Sequence, residues 1–162
     1  MRNHVYALII FAVVLCADFI TKHFVDLNFL EGERIKFLGG FFQIIKIYNR
    51  GGIFGIAQGY QFIFLMLSIV VFFVLLAFYI IETVHNRLSN SLFSLSMGLV
   101  FSGAIGNILD RALGKPGVVD FIYIGFEDFF MWPAFNIADM AIVTGALGLT
   151  VFFMISGQNN FQ

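Results

Sequence analysis

At 162 residues the chain has the length of one ordinary domain, yet 60% of it is apolar, phenylalanine occurs 23 times and only 12% is charged. Soluble domains run roughly 45–50% apolar and about 25% charged, so both departures go in the direction that a bilayer solvent permits. A formal net charge of -1 with no lysine or arginine cluster offers no basic field to nucleic acid, which is excluded as an expected partner.

The N-terminal run from Val5 to Cys16, behind Arg2 and His4, has the outline of a secretory or lipoprotein signal sequence. Val14 and Leu15 stand where small residues would precede a processed cysteine, so we read the run as a retained span over residues 5–24. Cys16 is the single cysteine and makes no internal disulfide; no Cys/His spacing suggests a metal site, and no cofactor is expected. Residues 25–61 follow as an extramembrane segment. Within it, Leu38-Gly-Gly-Phe-Phe-Gln-Ile-Ile-Lys-Ile47 shows partial alternation behind glycines, the pattern of short strands in a small sheet or flap.

The second span, residues 62–81, is interrupted only by Ser68 and has the length a membrane helix needs. A short polar connection leads to a third span over 91–110, where Ser94, Gly98, Ser102 and Gly106 recur every fourth residue and line one helix face for close packing. Residues 111–132 form a second loop, with turns at Gly114, Pro116 and Gly117 before the β-prone stretch 118–123. The fourth span covers 133–156 and carries a similar small surface at Ala141 and Gly145. Pro133 suits a first helical turn, which would set Asp139 roughly 9 Å below the helix start.

Ionisable residues at span ends are costly and therefore functional hypotheses. Asp18 and Lys22 end the first span, Asn107, Asp110 and Arg111 the third, while Asn136 and Asp139 open the fourth. If the helices alternate up and down, all of these share one membrane face, and both longer loops emerge there. As structural pairs, Asp18 goes with Lys22 and Asp110 with Arg111, which leaves Asp120 and Asp139 as acids without a nearby basic partner.

Two carboxylates held close cannot both ionise easily, so one retains a proton and the pair offers an acid and a base together. Such a pair can drive a water onto a peptide carbonyl and protonate the leaving amine, the aspartic-protease scheme. His4, His23 and His85 have no evident role as catalytic base, and Cys16 lies in an apolar run that disfavours thiolate. Two rivals stand beside this reading: a small ion or proton transporter using Asp18, Lys22 and Asp139, and a non-catalytic scaffold held by the small-residue faces.

The polar blocks Asp18-Phe-Ile-Thr-Lys22, Tyr48-Asn-Arg-Gly-Gly-Ile-Phe-Gly55, Gly103-Ala-Ile-Gly-Asn-Ile-Leu-Asp-Arg111, Val118-Val-Asp-Phe121 and Phe135-Asn-Ile-Ala-Asp139 resemble, in this order, those of lipoprotein signal peptidase, or signal peptidase II. The resemblance covers essentially the whole chain. It implies one membrane all-α domain over residues 1–162, with four transmembrane helices, a small extramembrane β-cradle and a loop over the active site. It also implies an aspartic endopeptidase that removes signal peptides from diacylglyceryl-modified prolipoproteins, cutting on the N-terminal side of the lipidated cysteine. The catalytic pair falls on Asp120 and Asp139. Asn49, Asn107, Arg111, Asn136 and Gly51 match residues lining the site, and Asp18, Lys22 and Asp110 match polar supports around it.

The implied location is the bacterial inner membrane, with both termini cytoplasmic and the site at the outer face. Membrane phospholipids and globomycin-type inhibitors are the further implied partners. Two features depart from the pattern. Gly52 and Ile53 stand where the family usually has alanine, and the loop around Lys115 and Pro116 is slightly longer. The cations also run against the positive-inside bias. Only Arg2 and Arg87 fall inside, against Arg34, Lys36, Lys46, Arg50, Arg111 and Lys115 outside.

Overall fold

The computed structural model describes residues 2–52, 56–84 and 90–159. Among them are four helices long and apolar enough to cross a membrane: α1 (Arg2–Asn28), α2 (Gln61–Val84), α3 (Ser91–Ala112) and α4 (Ile137–Asn159). The strands β1 (Arg34–Phe37), β2 (Phe42–Asn49), β3 (Val118–Phe126) and β4 (Phe130–Phe135) make one antiparallel sheet in that order. Ile53, His85 and Arg87 lie outside the described residues.

Helix α3 sits at the centre, because glycines on two of its faces let other helices approach backbone to backbone. A Cβ on Gly98 would stand 2.7 Å from the Ala7 carbonyl oxygen of α1, and one on Gly103 would strike the Ala138 carbonyl of α4. Gly145 returns the contact, since its Cβ would lie 2.7 Å from the Ser96 oxygen. The regular spacing read as a packing face serves α1 at Gly98 and both α1 and α4 at Gly106; the backbone approach to α4 uses Gly103, which lies off that stripe. Gly103→Leu should cost about 1–3 kcal/mol through overpacking, read as a lowered unfolding midpoint in detergent. In contrast α2 buries no residue among those described and presents Phe62, Val70, Phe73 and Val74 outward, as lipid allows.

The sheet joins the two loops. Strand β2 from the first pairs with β3 from the second, with Asn49 opposite Val118 and Ile47 opposite Asp120. The cradle is therefore not confined to 25–61, and residues 25–28 belong to α1. Lys46 of β2 finishes that helix. Its ammonium donates to the Asp26 and Phe29 carbonyl oxygens at 2.7 and 3.0 Å, a cation at a C-terminus whose last turn has no basic residue of its own. Lys46→Met should lower stability by about 1.5–3 kcal/mol, the worth of charged hydrogen bonds, and should loosen exchange protection at residues 25–29.

Pro133 belongs to β4 and does not open the fourth helix. Without an N–H it cannot sit in a central strand, and β4 is the outer strand of the sheet, where that donor is not needed. Helix α4 begins at Ile137, so Asp139 lies in its first turn, nearer the boundary than the reading from Pro133 implied.

Candidate active site

Every residue singled out in the sequence for the site, from Asp18 to Asp139, lies where the ends of α1 and α3, the start of α4 and the proximal half of the sheet meet. Asp120 enters from β3. Its Oδ2 accepts from Asn49 Nδ2 at 3.0 Å, and its Oδ1 from Asn136 Nδ2 at 2.7 Å. Pairing of Asn49 with Val118 places the asparagine diagonally across from Asp120 on the same sheet face.

Asp139 is held by a reciprocal cap. Asn136 Oδ1 accepts from the Asp139 N–H at 2.9 Å, while Asp139 Oδ2 accepts from the Asn136 N–H at 3.2 Å. This is the capping-box arrangement, which fixes the carboxyl relative to the backbone as it satisfies helix-end donors. Asp139 Oδ1 accepts from Asn107 Nδ2 at 2.8 Å, and Asn107 Oδ1 in turn accepts from Asn136 Nδ2 at 3.2 Å and Lys22 Nζ at 3.0 Å. The two acids are thus joined through Asn136 and Asn107, with every amide orientation set by its neighbours.

Beneath them Lys22, 2% exposed, spends its three donors on Asp18 Oδ2 at 2.8 Å, Asp110 Oδ2 at 3.0 Å and Asn107 Oδ1. Asp18 Oδ1 accepts from the Ala138 N–H at 2.9 Å and so caps α4 from another helix. Gly106 makes room for it: a Cβ there would lie 2.5 Å from Asp18 Oδ2. This glycine in the small-residue stripe thus admits a carboxylate as well as a helix.

Asp110 does not pair with Arg111. Its partners are Lys22 and Lys115, the latter at 2.8 Å from Oδ1, because adjacent helical residues point to different faces. Arg111 turns to the other side, donating to the Gly51 carbonyl at 3.0 Å and the Asn107 carbonyl at 3.2 Å, with its charge acting on both Asp120 and Asp139. Its Nε is buried without a partner among the described residues.

Gly51 and Gly52 follow β2 at the edge of this cluster, where the Gly51 carbonyl meets Arg111. The Gly52 N–H donates to the Ile56 carbonyl at 2.9 Å, and Asn49 Oδ1 accepts from the Gly51 N–H at 3.0 Å. At Gly52 a Cβ would meet the Phe64 ring of α2 at 2.5 Å, so a larger residue there requires that ring to shift. Sequence reasoning missed Lys115, Gln58, whose Nε2 donates to Asn49 Oδ1 at 3.3 Å, and Gln61, which holds the Lys115 carbonyl at 3.0 Å. All three are polar residues in loops or at a helix start, where local pattern carries no signal.

Burial, and after it the charge of Asp139, push the Asp120 carboxyl up to about 8, against the opposing donors Asn49 and Asn136. Near neutral pH the pair therefore tends to hold one proton, which burial favours on Asp120. A buried acid that shares a proton with a second carboxyl is equipped to polarise a carbonyl and activate a nucleophilic water.

A family model described as Signal peptidase (SPase) II matches residues 10–155. The chain is 39% identical over 151 residues to the lipoprotein signal peptidase of Syntrophus aciditrophicus, covering 89% of each. It is 31% identical over 151 residues to that of Clostridium novyi, covering 93% of this chain and 97% of the relative. Among solved structures it resembles a bacterial membrane enzyme at a TM-score of 0.81 and 26% identity, over 94% of this chain and 90% of the other. A second bacterial membrane enzyme matches at 0.74 and 28%.

Proposed function

Because the chain belongs to the signal peptidase II family, whose members are lipoprotein signal peptidases, we propose that Asp120 and Asp139 are the reacting pair of an aspartic endopeptidase. The protein is a membrane peptidase that removes signal peptides from prolipoproteins; the transporter alternative has nothing in its favour. The single observation that carries the catalytic assignment is the buried Asp120–Asn136–Asn107–Asp139 network.

In the scheme this network supports, protonated Asp120 donates towards the scissile carbonyl and stabilises the developing oxyanion. Asp139 takes a proton from the attacking water. The proton then passes to the leaving amine, and the pair is restored. Arg111, with Nε unspent, stands ready for a backbone group of the substrate, while Asn49, Asn107 and Asn136 hold the carboxyls. Asp18, Lys22 and Asp110 support α4 and β3 from below. The scheme calls for no metal or cofactor.

The finer reading follows the family resemblance. The protein lies in the bacterial inner membrane as one domain, its termini cytoplasmic and its site at the outer face, and cuts before a diacylglyceryl-modified cysteine. Phospholipids surround the spans, and globomycin-type inhibitors compete for the site. The lysine and arginine distribution favours the opposite orientation, so sidedness has its own test: a cysteine placed near Asp139 reacts with an impermeant reagent from the outer side, and inner-side labelling overturns the topology. The activity is tested with the purified protein in vesicles and a diacylglyceryl-modified precursor beside its unmodified counterpart. Cleavage of the modified form before its cysteine supports the reading, and equal cleavage of both forms overturns the substrate assignment.

A further inference from the structure

Between α3 and β3 the chain turns through Gly114, Lys115, Pro116 and Gly117, and the Lys115 ammonium folds back under the site. Its Nζ lies 2.8 Å from Asp110 Oδ1 and 3.9 Å from Asp26 Oδ2, while Gln61 Nε2 donates to its carbonyl at 3.0 Å. One loop residue is thereby tied to α1, α2 and α3. Asp26 is itself fixed, accepting from the Tyr48 hydroxyl of β2 and lying 3.0 Å from Lys46 Nζ.

The other oxygen of Asp110 reaches both halves of the site. Oδ2 lies 3.0 Å from Lys22 Nζ, which donates to Asn107, the residue that donates to Asp139. The same oxygen accepts from the Val119 N–H at 3.4 Å, and Val119 immediately precedes Asp120. The orientation of the Asp110 carboxylate therefore sets where the two acids stand. Its side chain is only 7% exposed, so if Oδ1 lost its cation, water could not readily replace it. The carboxylate would then turn both oxygens towards Lys22, drawing that lysine and Val119 with it.

We propose that Lys115 is a positioning residue for the cleavage reaction: it anchors Asp110 Oδ1 so that Oδ2 holds Val119 beside Asp120 and Lys22–Asn107 beside Asp139. This rests on the reading of Asp120 and Asp139 as the reacting pair. Lys115 touches neither carboxyl and acts through Asp110 alone. A displacement of about 1 Å between reacting groups lowers a rate by about 10²-fold, so the expected loss is in turnover and not in substrate binding.

The test uses the full chain in vesicles with a diacylglyceryl-modified precursor, comparing native protein with Lys115→Met, Lys115→Arg and Asp120→Asn, each normalised to folded protein by thermal unfolding. Lys115→Met should lower kcat about tenfold or more with KM within about twofold of native, and Lys115→Arg should recover most of that loss. Should the methionine variant fail to accumulate, Lys115→Gln, which keeps a donor without the charge, should show the same fall in kcat. A native kcat in the neutral variants, or a loss confined to folded yield or to KM, overturns the positioning role. Native cleavage by Asp120→Asn would instead sink the reacting pair, and this proposal with it; inactive Asp120→Asn beside an unimpaired Lys115→Met condemns the proposal alone.

Discussion

Asp120→Asn and Asp139→Asn each lower the rate of precursor cleavage by at least about 10²–10⁴-fold, the range removed with one positioned acid or base. The amide cannot give up or take a proton at any working pH, yet it keeps the size of the carboxyl and can still meet its neighbours. Asn at position 120 still has an oxygen to accept from Asn49 or Asn136, and a cap survives at position 139 because Asn136 Oδ1 continues to accept from the backbone N–H. Folding is therefore retained, and the loss is read in kcat. Rates within threefold of native in folded protein would dismiss the pair.

The same pair dictates the pH profile. Burial and then the Asp139 charge raise Asp120 to about 8. Its proton is present below that value and lost above it, so kcat/KM should hold through neutrality and fall tenfold per unit on the alkaline side. The sign for stability is the same: a carboxyl whose folded value exceeds its unfolded value, about 3.9, favours the unfolded state increasingly as pH rises from about 4 to 8. A rate that climbed steadily through pH 9 would show that ionised Asp120 is the working form.

The spans were legible because lipid exposure imposes composition: α2 shows an apolar run broken only by Ser68 and buries nothing among its described residues. The convergence of Asp18, Lys22, Asn107, Asp110, Asn136 and Asp139 was legible too, since alternating helices fix which ends share a face. Directions finer than that were not. Asp110 and Arg111 are neighbours in sequence and so diverge on the helix, one to Lys22 and Lys115, the other to Gly51. Pro133 satisfies two local rules equally, first helical turn and edge strand, and only pairing of β4 with β3 decides between them. That Asp120 joins Asp139 could be reached from the motifs, but the asparagine bridge that joins them depends on sheet register, which no stretch of either loop specifies alone.

Asn136→Ala should be nearly as damaging as loss of an aspartate, although Asn136 exchanges no proton in the scheme. Its fully buried side chain donates to Asp120 and Asn107 and accepts from the Asp139 N–H. Truncation leaves a helix-start donor unsatisfied, costing about 0.5–2 kcal/mol of stability. It also frees both carboxyls from their common tie, for an expected 10²-fold or greater fall in kcat. Asn136→Ser separates these effects. Serine caps helices as well as asparagine does, so the thermal midpoint largely recovers, but its single short hydroxyl cannot also donate to both Asp120 and Asn107. Activity should stay low while stability returns. Recovery of both together would reduce Asn136 to a helix cap and leave the two acids to find their geometry without it.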